Sequence, residues 1–150
     1  MPKNKTKNNL MKKIILISTV LISLVSIIAF TNKKEKQHRI VFQFTNADTM
    51  QQKAFTKQLQ NITDYWPNVK IEVVVYNKGL EYLMTDFSKH ITEIESLKAK
   101  GVNFVVCENT MKQRKIDKSK FIQSVTYIPA GIIEIVEKQE QGWSYVKGGY

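Results

Sequence analysis

Cys107 is the only cysteine among 150 residues, and its neighbours give it a setting in which a thiol could act. The run Val102-Asn-Phe-Val-Val-Cys107 is apolar and β-branched, and Glu108-Asn-Thr-Met-Lys-Gln-Arg114 after it is polar and begins like a helix. A strand that ends at the thiol and passes straight into a helix puts sulfur at the C-terminal rim of an open α/β sheet, where ligands and reactive groups collect. A thiol attacks as its thiolate, and the free amides of a helix N-terminus favour that charged form. Nucleophilic sulfur chemistry is therefore the chemistry to test. The ordinary alternative is packing, since free cysteine ranks among the most buried residue types. Asn109 and Thr110 are candidate caps and thiol neighbours. Lys112 and Arg114 could add positive potential, whereas a close Glu108 carboxylate would oppose the thiolate.

Further candidates sit where the other strands should end. Asn46 follows the first, Asn77, Lys78 and Tyr82 follow the second, and Tyr127 and Pro129 finish the fourth. Asn77 or Tyr82 could donate hydrogen bonds to a sulfur or an oxyanion; the competing role for each is an ordinary turn or cap residue. His38 and His90 bear no ligand spacing to Cys107, so no metal is expected. His90 is expected on the surface within a helix. The loop Thr45-Asn-Ala-Asp-Thr49 has hydroxyls but no glycine, and Asp48 would repel phosphate. Neither Gly-x-Gly-x-x-Gly nor a Walker sequence occurs. No cofactor is expected, and flavin or nucleotide binding is a minor alternative. Trp143, Tyr145 and Tyr150 suit an oligomer interface or, for Trp143, the core.

The elements that position these residues begin after a membrane-directing segment. Ile14 to Phe30 is a run of 17 residues without charge, preceded by Lys3, Lys5, Lys7, Lys12 and Lys13. It fits either a secretory signal or an uncleaved anchor at the lower length limit for a bilayer. The lysine excess before the segment orients the domain away from the cytoplasm. Residues 1–30 are thus read as signal or anchor, 31–38 as a polar linker and 39–150 as the domain. The net charge of +10 is lopsided: residues 1–40 hold nine basic groups and one acid, and the remainder holds fourteen against twelve. The basicity belongs to targeting, and nucleic acid is not expected as a partner.

Within the domain, strand and helix alternate. Strands are expected at 39–45, 69–76, 102–106 and 124–128, with a last edge strand at 143–146. The continuous Val73–Val75 end of the second suggests burial on both faces, as in a parallel sheet. Phe55, Leu59, Ile62 and Trp66 form one helical stripe that Asn46 or Asp48 caps and Pro67 ends. A short helical piece is expected at 80–84. Ser88 is a candidate cap for a helix carrying Ile91, Ile94 and Leu97 and ending at Gly101. Residues 130–141 read as a helix with Ile132, Ile133, Ile135 and Val136 inward. The class is α/β with a mainly parallel sheet of about five strands.

The ordered series Val75-Tyr-Asn-Lys-Gly-Leu80, Lys100-Gly-Val102, Val106-Cys-Glu-Asn-Thr-Met111, Ile128-Pro-Ala-Gly-Ile-Ile-Glu-Ile135 and Gly142-Trp-Ser-Tyr145 resembles the DsrE/DsrF-like sulfur-transfer family over residues 39–147. The resemblance implies a flavodoxin-like three-layer sandwich and small homo-oligomers. In the sulfur-handling members it implies a cysteine that carries persulfide sulfur, and Cys107 matches that position. The expected function is a persulfide carrier or sulfurtransferase outside the cytoplasm, with a sulfur donor or acceptor protein or a small thiol as partner. A non-enzymatic ligand-binding or assembly module of the same fold is the alternative.

Overall fold

A computed structural model describes Leu16 and residues 37–149 of the chain. The membrane-directing segment and most of the linker lie outside the described residues. Gln37 and His38, at the end of the stretch read as linker, already pack on the domain. Gln37 Nε2 donates to the Asn68 carbonyl at 3.3 Å, and His38 stacks on Trp66 at 4.1 Å between centroids. Among the described residues no helix is long and apolar enough to cross a membrane.

Five strands form the sheet: β1 (Arg39–Phe44), β2 (Lys70–Val75), β3 (Val102–Cys107), β4 (Thr126–Ile128) and β5 (Ser144–Gly148). All pairings are parallel and the order is β4-β3-β2-β1-β5. The helices are α1 (Thr49–Tyr65), α2 (Ile91–Ala99), α3 (Glu108–Arg114) and α4 (Gly131–Glu140). From β1 to β4 the chain steps one strand at a time in one direction, so right-handed crossovers lay α1, α2 and α3 on one face. After β4 it reverses and returns to the far edge beside β1, which lays α4 on the opposite face. The result is a flavodoxin-like three-layer α/β sandwich.

Side-chain alternation along the strands divides the core accordingly. Phe42, Phe44, Val73, Val75, Phe104 and Val106 face α1 to α3 and meet Phe55, Leu59, Ile94, Leu97 and Met111 in the larger cluster. Val41, Val74 and Val105 point the other way and meet Ile135 of α4 in a much smaller one. Strands covered on both faces must be apolar on both, hence the unbroken valine runs.

Asp48 caps α1, accepting from the Gln51 N–H at 2.9 Å. The stripe on α1 ends earlier than its spacing suggests: Phe55 and Leu59 are buried, but Trp66 is already the C-cap and lies outside against His38. His90 occupies the N-cap position of α2 instead of lying within it, and the Ser88 hydroxyl accepts the His90 N–H at 3.3 Å.

The larger correction concerns α4. Ile132, Ile133 and Val136 are 59 %, 59 % and 46 % exposed, so of its apolar residues only Ile135 turns inward as expected. The face that meets the sheet carries Gly131, Glu134, Ile135 and Lys138. Glu72, buried in the middle of β2, draws Lys138 down with a 3.0 Å ion pair.

Candidate functional site at Cys107

Cys107 closes β3 and is at the same time the N-cap of α3, with no loop between. Like Val105 it points toward α4, because side chains two apart share a sheet face. The first helical amide of α4, Gly131 N–H, donates to Cys107 Sγ at 3.3 Å. From α3 the Thr110 N–H and hydroxyl and, more weakly, the Asn109 N–H favour the charged sulfur. Thr110 Oγ1 is oriented for this, since it accepts the Asn77 N–H at 3.3 Å and so has its own proton to give to sulfur. Burial pushes the thiol up, and the donors from Thr110, Gly131 and Asn109 together outweigh it, leaving the thiol below its ordinary value. Two helix starts converge on one sulfur, which is what a thiolate requires.

Gly131 makes that convergence possible. A Cβ there would lie 3.1 Å from Tyr76 Cδ1, 3.2 Å from Val74 Cγ1 and 3.5 Å from Cys107 Cβ. Any side chain there would force its neighbours or the helix start to give by a few tenths of an ångström. On the other side the Asn109 N–H reaches the Pro129 carbonyl at 3.2 Å, tying the start of α3 to the end of β4. Cys107 itself is 5 % exposed.

The charges around the thiol resolve differently from expectation. Glu108 is taken by Lys118 at 2.6 Å, which holds its carboxyl below the usual range. Arg114 does not serve the sulfur: it donates to the Asn77 carbonyl at 3.0 Å and pairs with Glu81 at 3.0 Å, fastening a 3-10 segment, Asn77–Leu83, to α3. Lys112 is exposed. Amides and the Thr110 hydroxyl, not side-chain cations, favour the charged sulfur.

Of the other residues selected from sequence, Asn109 and Thr110 stand beside Cys107 at the start of α3, and Asn77 joins them through its N–H on Thr110 Oγ1. Asn77 has φ 56°, a left-handed turn that asparagine tolerates. Asn46 and Lys78 instead line a separate cavity of about 360 Å3 with Thr45, Ala47, Asp48, Lys147 and Gly149. Tyr82 is not at the rim. It is fully buried among Phe44, Phe55 and Phe104, its hydroxyl 2.8 Å from Thr56 Oγ1, and burial raises its pKa. The 3-10 segment winds it inward, where a simple turn would have left it out.

Sequence reasoning missed Gly131 and Tyr76. The signal for Gly131 was a glycine at the first turn of an otherwise strong helix pattern, a costly residue unless closeness demands it. Tyr76 is half-buried against that glycine, and its hydroxyl accepts from Gln43 Nε2. Tyr145 donates to the same Gln43 side chain, so a polar row runs from the end of β2 across β1 to β5.

The chain belongs to the DsrE/DsrF-like family, whose model matches residues 24–147. Among solved structures it is similar to MTH1491, a protein of unknown function from Methanobacterium thermoautotrophicum. The two are 28 % identical with a TM-score of 0.70, over 74 % of this chain and 99 % of that one. The ychN protein of E. coli has a TM-score of 0.59 at 12 % identity, over 75 % of this chain and 99 % of that one. BT1422 of Bacteroides thetaiotaomicron, of unknown function, has a TM-score of 0.54 at 13 % identity, over 73 % and 93 %. These last two share the fold. No curated protein matches.

Proposed function

We propose that this domain carries sulfane sulfur on Cys107. The Cys107 thiolate attacks the outer sulfur of a persulfide donor, R–S–SH. A bond forms between Sγ and that sulfur, the donor's S–S bond breaks, and its electron pair leaves with R–S⁻, which takes a proton from solvent as its own pKa requires. An acceptor thiolate then attacks the outer sulfur of Cys107–S–SH and releases Cys107 as thiolate. Neither step needs an external oxidant or reductant. The same donors assist both steps, because Cys107 is nucleophile in the first and leaving group in the second.

The observation that carries this reading is the Gly131 N–H held 3.3 Å from Cys107 Sγ, with the Thr110 N–H and hydroxyl favouring the thiolate from the start of α3. Membership of the DsrE/DsrF-like family supports sulfur chemistry in the same direction. The site works outside the cytoplasm in this proposal, tethered or exported through residues 14–30, and hands sulfur to a protein or small-molecule thiol. A second copy of the chain covers the outer face of α4, where Ile132, Ile133 and Val136 stand exposed.

The test is intact mass after incubation with a sulfane-sulfur donor. Gain of one sulfur atom by wild type, absent from Cys107→Ser and reversed by an acceptor thiol, is the expected result. An unmodified thiol in a stable oligomer would instead favour an assembly module.

A further inference from the structure

The inner face of α4 is unusual for a helix that must hold its position. Across the two turns from Gly131 to Lys138 a single apolar side chain, Ile135, is buried, and the outer face takes the remaining aliphatics. Its far end is held by charge. Glu72 lies in β2, the central strand, with its carboxylate under the helix and 5 % exposed. Glu72 Oε2 accepts from Lys138 Nζ at 3.0 Å and from Asn103 Nδ2 at 3.0 Å.

Asn103 is the register partner of Glu72 on β3, and its Oδ1 accepts from the Thr126 hydroxyl of β4 at 3.1 Å. Lys138 also reaches Glu134 at 3.4 Å, one turn back, and stands 4.8 Å over the Trp143 ring. A hydrogen-bonded row therefore runs from β4 through β3 and β2 into α4.

Two carboxylates share one ammonium in this cluster, and Glu72 Oε1 is buried with no hydrogen-bond partner among the described residues. Burial raises the Glu72 pKa, Glu134 adds to the rise, and Lys138 and Asn103 oppose it. Such a cluster is a poor source of net stability compared with apolar side chains of the same volume. What it provides is a defined geometry, since an ion pair holds one distance where aliphatic contacts tolerate sliding. The near end of α4, about 10 Å away along the axis, is Gly131, whose amide meets the sulfur at 3.3 Å.

We propose that Glu72 and Lys138 are positioning residues: the clasp they form with Glu134 sets the rotation and height of α4, and so keeps the Gly131 amide on Cys107. This rests on the reading of Cys107 as a thiolate sulfur carrier. Neither residue touches the sulfur or its substrate.

The variants are Lys138→Met, Glu72→Met and Lys138→Arg in the full chain. The readouts are the pH profile of Cys107 alkylation by iodoacetamide and hydrogen exchange of the Gly131 amide. Losing one hydrogen bond to a charged sulfur should slow alkylation at neutral pH about tenfold in both methionine variants. The profile should move to higher pH and Gly131 exchange should quicken, while Lys138→Arg keeps the wild-type profile.

The two methionine variants separate positioning from a through-space field. Removing a cation alone would raise the thiol pKa and removing an anion alone would lower it, so shifts of opposite sign overturn the proposal. A lowered melting temperature with unchanged alkylation profile and Gly131 exchange also overturns it. If Lys138→Met fails to fold, Glu72→Met carries the decision, because there field and positioning predict opposite directions. A wild-type thiol that titrates like free cysteine defeats the carrier reading, and Gly131 exchange still reports whether the clasp holds α4.

Discussion

Replacing Gly131 with alanine perturbs the thiol without touching it. The added Cβ would meet Tyr76 Cδ1 at 3.1 Å and Val74 Cγ1 at 3.2 Å. Ordinary carbon contacts lie at about 3.5–4.0 Å, so the first turn of α4 must lift by roughly half an ångström. Val74 cannot yield, being fully buried in β2, and Tyr76 is held through its hydroxyl by Gln43. A lift of that size takes the Gly131 N–H from 3.3 Å toward the limit of contact with sulfur.

A hydrogen bond to a charged acceptor contributes about 1.5–3 kcal/mol, and 1.4 kcal/mol is about a factor of ten in thiolate fraction. Gly131→Ala should therefore lower the thiolate fraction at neutral pH about tenfold. Stability should change far less clearly, since overpacking costs about 1–3 kcal/mol while alanine recovers up to about 1 kcal/mol of helix propensity. Ultraviolet titration of the thiolate, with alkylation rate against pH as a second reading, measures the effect. A midpoint that stays in place or falls would refute the assignment of the Gly131 amide as a thiolate donor.

Thr110→Val removes the hydroxyl that relays between Asn77 and sulfur, and should raise the thiol midpoint in the same titration; Thr110→Ser should restore it. Tyr82→Phe should cost about 1 kcal/mol in urea unfolding, because Thr56 Oγ1 keeps its 2.8 Å bond to the Gln52 carbonyl, and should leave the thiol titration unchanged. The folded thiol lies below its ordinary value, so the unfolded chain binds more protons between the folded and unfolded midpoints. Wild type should then gain stability over Cys107→Ser as pH rises through that window, hold the gain above the unfolded midpoint and lose it as pH falls through the folded one. Denaturant midpoints of the two proteins across pH under reducing conditions provide the check.

The strands were legible because a sheet covered on both faces demands apolar residues at every position, and Val73 to Val75 or Phe104 to Val106 can mean little else. Cys107 was legible as a strand end for the same reason, and the polar run after it announced a helix. The rotation of α4 was not. Ile132, Ile133 and Val136 outweigh Ile135 in any reading of helical pattern, yet the face that meets the sheet carries Lys138, paired with a carboxylate at Glu72 on a distant strand. A pattern within one helix cannot reveal a partner 66 residues away.

Tyr82 failed differently: a residue after a strand was placed at the rim, but seven residues of 3-10 helix carry it back under the sheet. Asn46 and Lys78 do sit at strand ends, as read, yet they line a cavity whose walls include none of the sulfur's donors. Strand order decides which ends are neighbours, and that order is not written in any one segment.

The most direct measurement is sulfur uptake by the reduced protein from a persulfide donor, followed by intact mass in a single turnover across pH. One sulfur atom should appear on Cys107, with the rate half-maximal at a pH below that of an ordinary cysteine and the uptake lost in Cys107→Ser. No uptake, or uptake with the midpoint of a free thiol, would contradict the carrier reading.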